Sequence, residues 1–379
     1  MIVQNYQYKN GELTPQKSKQ DFDLLLCFGA KKLIEDNKIS VLIRDSIPAE
    51  NTVFCSTAGE IFGQEVYDES ISVTALKFEN TTLKTSFVTI SDNLDSEKAG
   101  EALIAKLDKE NLKYVLVISD GALVNGSHLV NGMKKHLPEE VLITGGLAGN
   151  GSAFNSTLVG LNSTISEGMI VAIGFYGDQI HINHGSFGGW EPFGLERTVT
   201  KSNENILEEI DGKKALDLYK TYLGEYADQL PGSALLFPLS LKIDGTGEEL
   251  VRTILDIDQE KQSMTFAGNL PVGSKVRFMR ANFDKLIDAA GLAANETLIS
   301  SRGQKPQYAL LISCVGRKLV LANRIDEEIE AVQEYLGKEC ILSGFYSYGE
   351  ITPMNQSNNC QLHNQTMTIT TFDENITEK

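Results

Sequence analysis

Few side chains in this 379-residue chain are spaced to do chemistry. Glu60 and Glu350 each follow a glycine and precede an isoleucine, as Gly59-Glu60-Ile61 and Gly349-Glu350-Ile351. If the two turns face one cleft, the acids can receive a ligand amine or hold a pKa-shifted proton; as solvated turn residues they do neither. Gly145-Gly146-Leu147-Ala148-Gly149 lacks both the Gly-x-Gly-x-x-Gly order of a dinucleotide site and the lysine of a phosphate loop. Its backbone N–H groups suit a carboxylate held in a compact concavity. The histidines are His128, His136, His181, His184 and His363. His181 and His184 lie three apart in an alternating, strand-like segment, so they face opposite sides and do not chelate one ion. A single histidine still suffices for haem, which needs one protein ligand and an apolar cleft. Cys314 stands beside Arg317, whose charge would lower a thiol pKa and make a nucleophile. No Gly-x-Ser-x-Gly elbow occurs, since Ser347 is flanked by tyrosines.

These residues need strands and helices to position them. Short apolar runs bounded by Gly, Asn, Asp or Ser predict strands over Asp23–Phe28, Ile71–Phe78, Tyr114–Ser119, Met169–Phe175, Ala234–Leu241, Tyr308–Ser313 and Met367–Phe372. Helical periodicity covers Ser96–Asn111, Leu129–His136, Lys214–Leu223 and Arg324–Gly337, the last with Ile325, Ile329, Val332 and Leu336 on one face. A strand–helix–strand pattern recurs three times. Its marker glycines, Gly29 and Gly59, Gly121 and Gly149, Gly316 and Gly349, lie 30, 28 and 33 residues apart. The fold class expected is therefore α/β with α+β character, built as two consecutive domains of mixed sheets flanked by helices. The Pro231-Gly232 turn signal marks the boundary. It gives an N-terminal extension over 1–22, a first domain over 23–225 and a second over 226–379.

Composition removes several function classes. With 51 acidic and 34 basic residues the formal charge is −17, and no basic run is present. Sequence-independent binding to nucleic acid or an anionic membrane is therefore not expected. Five cysteines, odd in number and never in a C-x-x-C pair, exclude a dense disulfide framework and a zinc ribbon. Met1–Gln20 is polar, without an apolar signal core, and no run approaches the ~20 apolar residues of a membrane span. A cytoplasmic location is expected.

Together the motifs resemble a known family. Cys55-Ser56-Thr57-Ala58-Gly59-Glu60-Ile61, Ser119-Asp120-Gly121, Gly145–Gly149, Gly189-Trp190-Glu191-Pro192 and Asp211-Gly212-Lys213-Lys214-Ala215-Leu216 resemble the FIST N-terminal domain. Ser313-Cys314-Val315-Gly316-Arg317, Gly344–Ile351 and His363-Asn364-Gln365-Thr366 resemble the FIST C-terminal domain. Asn150 and Lys214 depart from the aspartate and proline usual there. The resemblance implies a sensory module for amino acids or related metabolites. Some free-standing members are haem proteins that sense nitric oxide and control a partner histidine kinase, so haem b, nitric oxide and such a kinase are the expected cofactor, signal and partner. The two halves would consume nearly the whole chain, so output is expected through a separate protein, with a homo-oligomer compatible. The expected ligand site gathers Ser56, Thr57, Gly59, Glu60, Gly145, Gly146, Ala148, Gly149, Trp190, Cys314, Arg317, Tyr346, Tyr348, Glu350 and Asn364. His184 and His363 are the candidate haem ligands, Arg317 is the two-point anion contact, and an enzyme using Cys314 is the alternative.

Overall fold

Leu24–Phe28, Tyr114–Ile118 and Tyr308–Ile312 are apolar at every position, the pattern of strands covered on both faces. Each opens one copy of a parallel strand–helix–strand unit. The computed structural model describes residues 1–90, 95–153, 155–230, 232–242, 249–353 and 359–374. In the first unit β1 (Ile2–Lys9) and β2 (Glu12–Thr14) precede β3 (Phe22–Gly29). Helices α1 (Lys31–Ile34) and α2 (Asn37–Ser46) cross to β4 (Ala49–Ser56), parallel to β3. A hairpin, β5 (Glu60–Phe62) and β6 (Glu65–Tyr67), leads to β7 (Ile71–Lys77), which returns antiparallel to β3.

The second unit repeats this order. It runs β8 (Thr82–Thr89), α3 (Ser96–Ala105), β9 (Leu112–Ser119), α4 (Gly126–Lys134) and β10 (Leu142–Leu147). The hairpin β11 (Val159–Leu161) and β12 (Thr164–Ser166) follows, then the returning β13 (Met169–Tyr176). The third unit begins with β14 (Ile180–Phe187) and is interrupted by a small β domain. That domain contains β15 (Glu191–Asn203), β16 (Ile206–Ile210), β17 (Lys213–Lys214), α5 (Ala215–Leu223), β18 (Leu239–Lys242), β19 (Glu249–Arg252), β20 (Ile254–Asp258), β21 (Ser263–Phe266) and β22 (Lys275–Arg280). The unit resumes with α6 (Phe283–Ser300), β23 (Tyr308–Cys314), α7 (Val315–Leu321), α8 (Ile325–Leu336) and β24 (Ile341–Ser347). The hairpin β25 (Gly349–Pro353) and β26 (Cys360–His363), then the returning β27 (Met367–Glu374), complete it.

No unit completes its own sheet. The first unit's β5 pairs with β24, the second unit's β11 with β4, and the third unit's β25 with β10. The three hairpins are thus exchanged in a closed cycle. Leu26 and Phe28, Leu116 and Ile118, Leu310 and Ile312 share the core between the sheets. Leu103, Leu129 and Ile329 from α3, α4 and α8 cover outer faces, as Ile39 and Ile43 from α2 do over the first sheet. The small domain has its own core, from Val199 through Tyr219 to Phe278. Trp190, Met279, Leu286, Val320 and Leu321 join it to the body.

The expected mixed α/β architecture is what the chain adopts, and six of the seven predicted strands form close to their expected bounds. The seventh, Ala234–Leu241, is a 3₁₀ turn over Gly232–Leu236 followed by a strand from Leu239, because Pro238 has no N–H for a ladder. Residues 1–22, expected as an extension, supply β1, paired along its length with β7. Of the expected boundary, Pro231 lies outside the described residues, and the small-domain core spans both sides of it. No helix among the described residues is long and apolar enough to cross a membrane.

Candidate functional site

Strand-end turns are where α/β sheets present ligands, and here each unit's turn holds a buried carboxylate. Glu60 Oε1 accepts from Thr57 Oγ1 at 2.6 Å, and Oε2 accepts from Ser70 N at 3.2 Å and Ser70 Oγ at 2.9 Å. Glu350 repeats this with Ser347 Oγ at 2.6 Å, Thr366 N at 3.2 Å and Thr366 Oγ1 at 3.0 Å. In the second unit, where Asn150 follows Gly149, Asp120 takes over from the end of β9. Its oxygens accept from Ala122 N, Leu123 N, Thr157 Oγ1 and Gly168 N. Ser70, Thr366 and Gly168 each stand just before a returning strand. The acids therefore anchor β7, β27 and β13. Burial pushes Glu60 up to about 7 and Glu350 up to about 8, outweighing the donors that favour the charged form. Glu60 and Glu350 do not share a cleft as a ligand pair; each is held by donors of its own unit.

The expected glycine cradle is spent on the fold. Gly145–Leu147 pair with β9 and β25, Ala148 N donates to Ser119 O at 2.7 Å, and Gly149 N donates to Ser56 O at 2.8 Å. Ser56 Oγ accepts from Leu158 N, and the Tyr348 hydroxyl accepts from Asn150 N. Beside Gly59 the Lys318 side chain fills the space, donating to Ala58 O.

Arg317 makes a two-point contact, but to an internal carboxylate. Its Nε and Nη2 donate to Glu328 Oε2 at 3.0 and 2.7 Å, while Nη1 reaches Gly188 O and Nη2 reaches Leu286 O. Tyr346 OH donates to the other Glu328 oxygen at 2.7 Å. Cys314 is buried, and that burial pushes its thiol up, with Arg317 the least of the influences that lower it. The activated-thiol reading of Cys314 is therefore corrected. Trp190 Nε1 donates to Gln365 O at 2.9 Å. Asn364 is fully buried with both side-chain polar atoms unpartnered.

The two candidate haem histidines differ sharply. His363 is buried, with Nε2 against Thr352 O at 3.1 Å. His184, on β14, lines a half-open cavity of about 940 Å³ between that strand, the end of α6 and the start of β10. This volume lies within the usual range of small-ligand pockets, about 300–1,000 Å³. Leu142, Ile182, Ile299 and Pro306 supply apolar wall, Glu140, Glu296 and Asp373 bring acids, and Lys113, paired with Asp178, and Arg302 bring positive charge. His184 Nδ1 is buried and unpartnered, and burial lowers the imidazole pKa to about 4, so the ring is neutral at pH 7. His184 thus brings a neutral imidazole to a cavity whose lining is otherwise mostly polar and charged, with apolar patches. Among the described residues no group of three or more His, Cys, Asp or Glu is arranged to hold a metal ion.

The sequence reading missed the α6 wall of this cavity, including Glu296, and missed Asp120 as the third anchoring acid. The preserved geometry of the turns, not the Gly-Glu dipeptide, was the signal for Asp120.

Comparison with known proteins agrees with the motifs. The FIST N domain matches residues 23–213 and the FIST C domain matches residues 215–353. Their junction falls just before α5, inside the small β domain. A solved structure of cyanuric acid hydrolase from A. caulinodans is similar over 99% of each chain, at 7% identity and a TM-score of 0.38. Comparison with curated proteins finds no match. On the two domain matches, the chain belongs to the FIST family, whose domains are small-ligand sensory modules of signalling.

Proposed function

We propose that the chain binds its ligand in the cavity between β14 and α6 and reports to a separate signalling protein, a histidine kinase being the partner its family suggests. Haem b is the leading occupant and nitric oxide the leading signal. The observation that carries this reading is His184, whose neutral ring lines a half-open cavity and whose Nδ1 has no protein partner. The group would supply an iron able to bind the gas. His184, neutral at pH 7, would hold it; Ile182, Leu142 and Ile299 would pack against it, and Arg302 would pair a carboxylate.

The cavity is also well sited for output. Gly185, next to His184, lies so close to Ala293 O on α6 that a side chain there would overlap it. A shift of β14 therefore pushes on α6, which packs against α8. Ligand binding would move a population between two positions of α6, and the partner would read the difference. A colourless metabolite in the same cavity is the other reading.

Absorption spectroscopy of the haem-reconstituted protein separates them. We expect a Soret band that shifts with nitric oxide, is lost in His184→Ala and persists in His363→Ala. A free-haem spectrum in the wild type, or an unchanged band in His184→Ala, rejects this assignment.

A further inference from the structure

A strand in an antiparallel pair turns alternate residues toward its partner and the others away from it. On one edge β14 pairs with β27 along its whole length, Ile180 to Phe187. Phe372 of β27, opposite Ile182, turns its carbonyl to the far side, where it accepts from Gln307 N. Ser186 N likewise points away from β27 and donates to Glu296 Oε2 on α6 at 3.4 Å. The odd-numbered residues of β14 therefore bond β27, and the N–H and C=O of Ile182 and His184 point to the second edge. Among the described residues no strand pairs with that edge. It runs along the cavity, which every residue from Ile180 to His184 lines.

The repeat shows what such an edge accepts. β1 and β8 hold the matching place in the first and second units, antiparallel to the returning strands β7 and β13. In the first unit the outer edge of β1 carries a further strand, β2, paired over Gln7, Tyr8 and Lys9. In the second, Lys106 Nζ donates to Phe87 O of β8, a charged cover of the kind that blocks an edge against pairing. In the third, Glu296 meets the edge at Ser186, and among the described residues no strand covers Ile182 and His184.

The two walls of this groove differ. Gly185 packs against Ala293 O, so the odd-numbered positions of β14 face α6, and Asp373, opposite His181, shares that side with Glu296. Ile180 and Ile182 face the other way, into the core that holds Leu142. Lys113 is taken by Asp178, which leaves Arg302 against Glu140, Glu296 and Asp373. A strand added to the edge alternates its side chains in the same sense, one set toward the α6 wall and the other toward Leu142. We infer that β14 is a docking edge for an extended, basic segment of a partner protein, its lysine or arginine side chains toward Glu296 and Asp373 and its apolar ones toward Leu142. The stretch from Ile180 to His184 would pair with about 17 Å of such a chain. This docking role rests on the open edge within the cavity and not on haem, although haem in the same cavity would compete with the segment.

Fluorescence anisotropy on the full chain tests this with a labelled, end-blocked heptapeptide that alternates lysine and valine. One control is the same peptide methylated at each backbone nitrogen, which keeps its charge but can donate nothing to a ladder. The other alternates glutamate and valine. The lysine–valine peptide is expected to bind at least about tenfold more tightly than either control. Ile182→Pro removes an outward N–H and leaves the ladder with β27 its donors, so it should cost at least about tenfold in affinity. Glu296→Gln, which leaves the backbone alone, should cost at least about threefold and guards against a proline variant that does not fold. Absence of binding in the wild type, equal binding of the methylated peptide, or wild-type affinity in Glu296→Gln overturns the proposal. Haem uptake is read separately from the Soret band, so failure of either assignment leaves the other standing.

Discussion

Glu60, Asp120 and Glu350 each fix the start of a returning strand, and two of them do so at a cost that depends on pH. Burial moves Glu60 to about 7 and Glu350 to about 8, from an ordinary 4.5. Their folded pKa values are raised, so their contribution to stability is complete below about pH 4.5 and is lost as pH rises through 7 and 8. His184 and His363, both lowered to about 4, act in the opposite sense, but their effect is complete by about pH 6.5. Between pH 6.5 and 8.5 the acids therefore decide the slope. The unfolding free energy in urea should fall by about 2–3 kcal/mol over that window and be nearly flat in Glu60→Gln/Glu350→Gln. A wild-type profile as flat as the variant's would show that burial does not hold these acids protonated. Both acids were visible in the sequence because Gly-Glu-Ile occurs twice. Asp120 was not, because it reaches the same kind of anchor from a different point of the turn. Glu328 was hidden as one of several acids on a helix, its partner Arg317 eleven residues earlier on α7.

At the level of elements, parallel strand pairs impose a steric condition that charge and polarity do not. Gly145 in β10 and Gly344 in β24 sit opposite Val117 and Leu311 of the neighbouring parallel strands. A Cβ at either position would run into the facing backbone carbonyl, which cannot move without breaking the ladder. Gly344→Ala should therefore destabilise by about 1–3 kcal/mol or more, read as a lower midpoint in thermal or urea unfolding. Gly232→Ala, with no atom near the added carbon, should stay within about 0.5 kcal/mol of wild type. Equal effects from the two substitutions would refute the close-approach argument. Strand positions were legible wherever an apolar run was bounded by turn residues, as in β3, β9 and β23. Ala234–Leu241 has the same composition, but Pro238 splits it, and pairing of β18 with β22 begins only at Leu239.

Across the whole molecule, hairpin exchange decides what counts as a folding unit. The sequence divides naturally into two consecutive halves, and the family domains divide it near the same place, at residues 213 and 215. The sheets do not respect that division. β5 and β6, from the first half, complete the sheet of β23 and β24, and β14 borders the same sheet. β25 and β26, from the second half, complete the sheet of β9 and β10. Pairings such as Glu60 with Phe345 span about three quarters of the chain, and no local pattern encodes them. Separating the halves would leave open strand edges and bare apolar faces on both pieces. Fragments 1–213 and 214–379 should each lack a cooperative thermal transition when expressed alone. Mixed or co-expressed, they should form a complex that elutes as one species and regains a sharp melt. A fragment 1–213 that melts cooperatively near the full-length midpoint would mean that the exchanged hairpins contribute little. The cyclic arrangement requires the opposite, because each hairpin brings backbone partners and apolar cover to a sheet begun elsewhere in the chain.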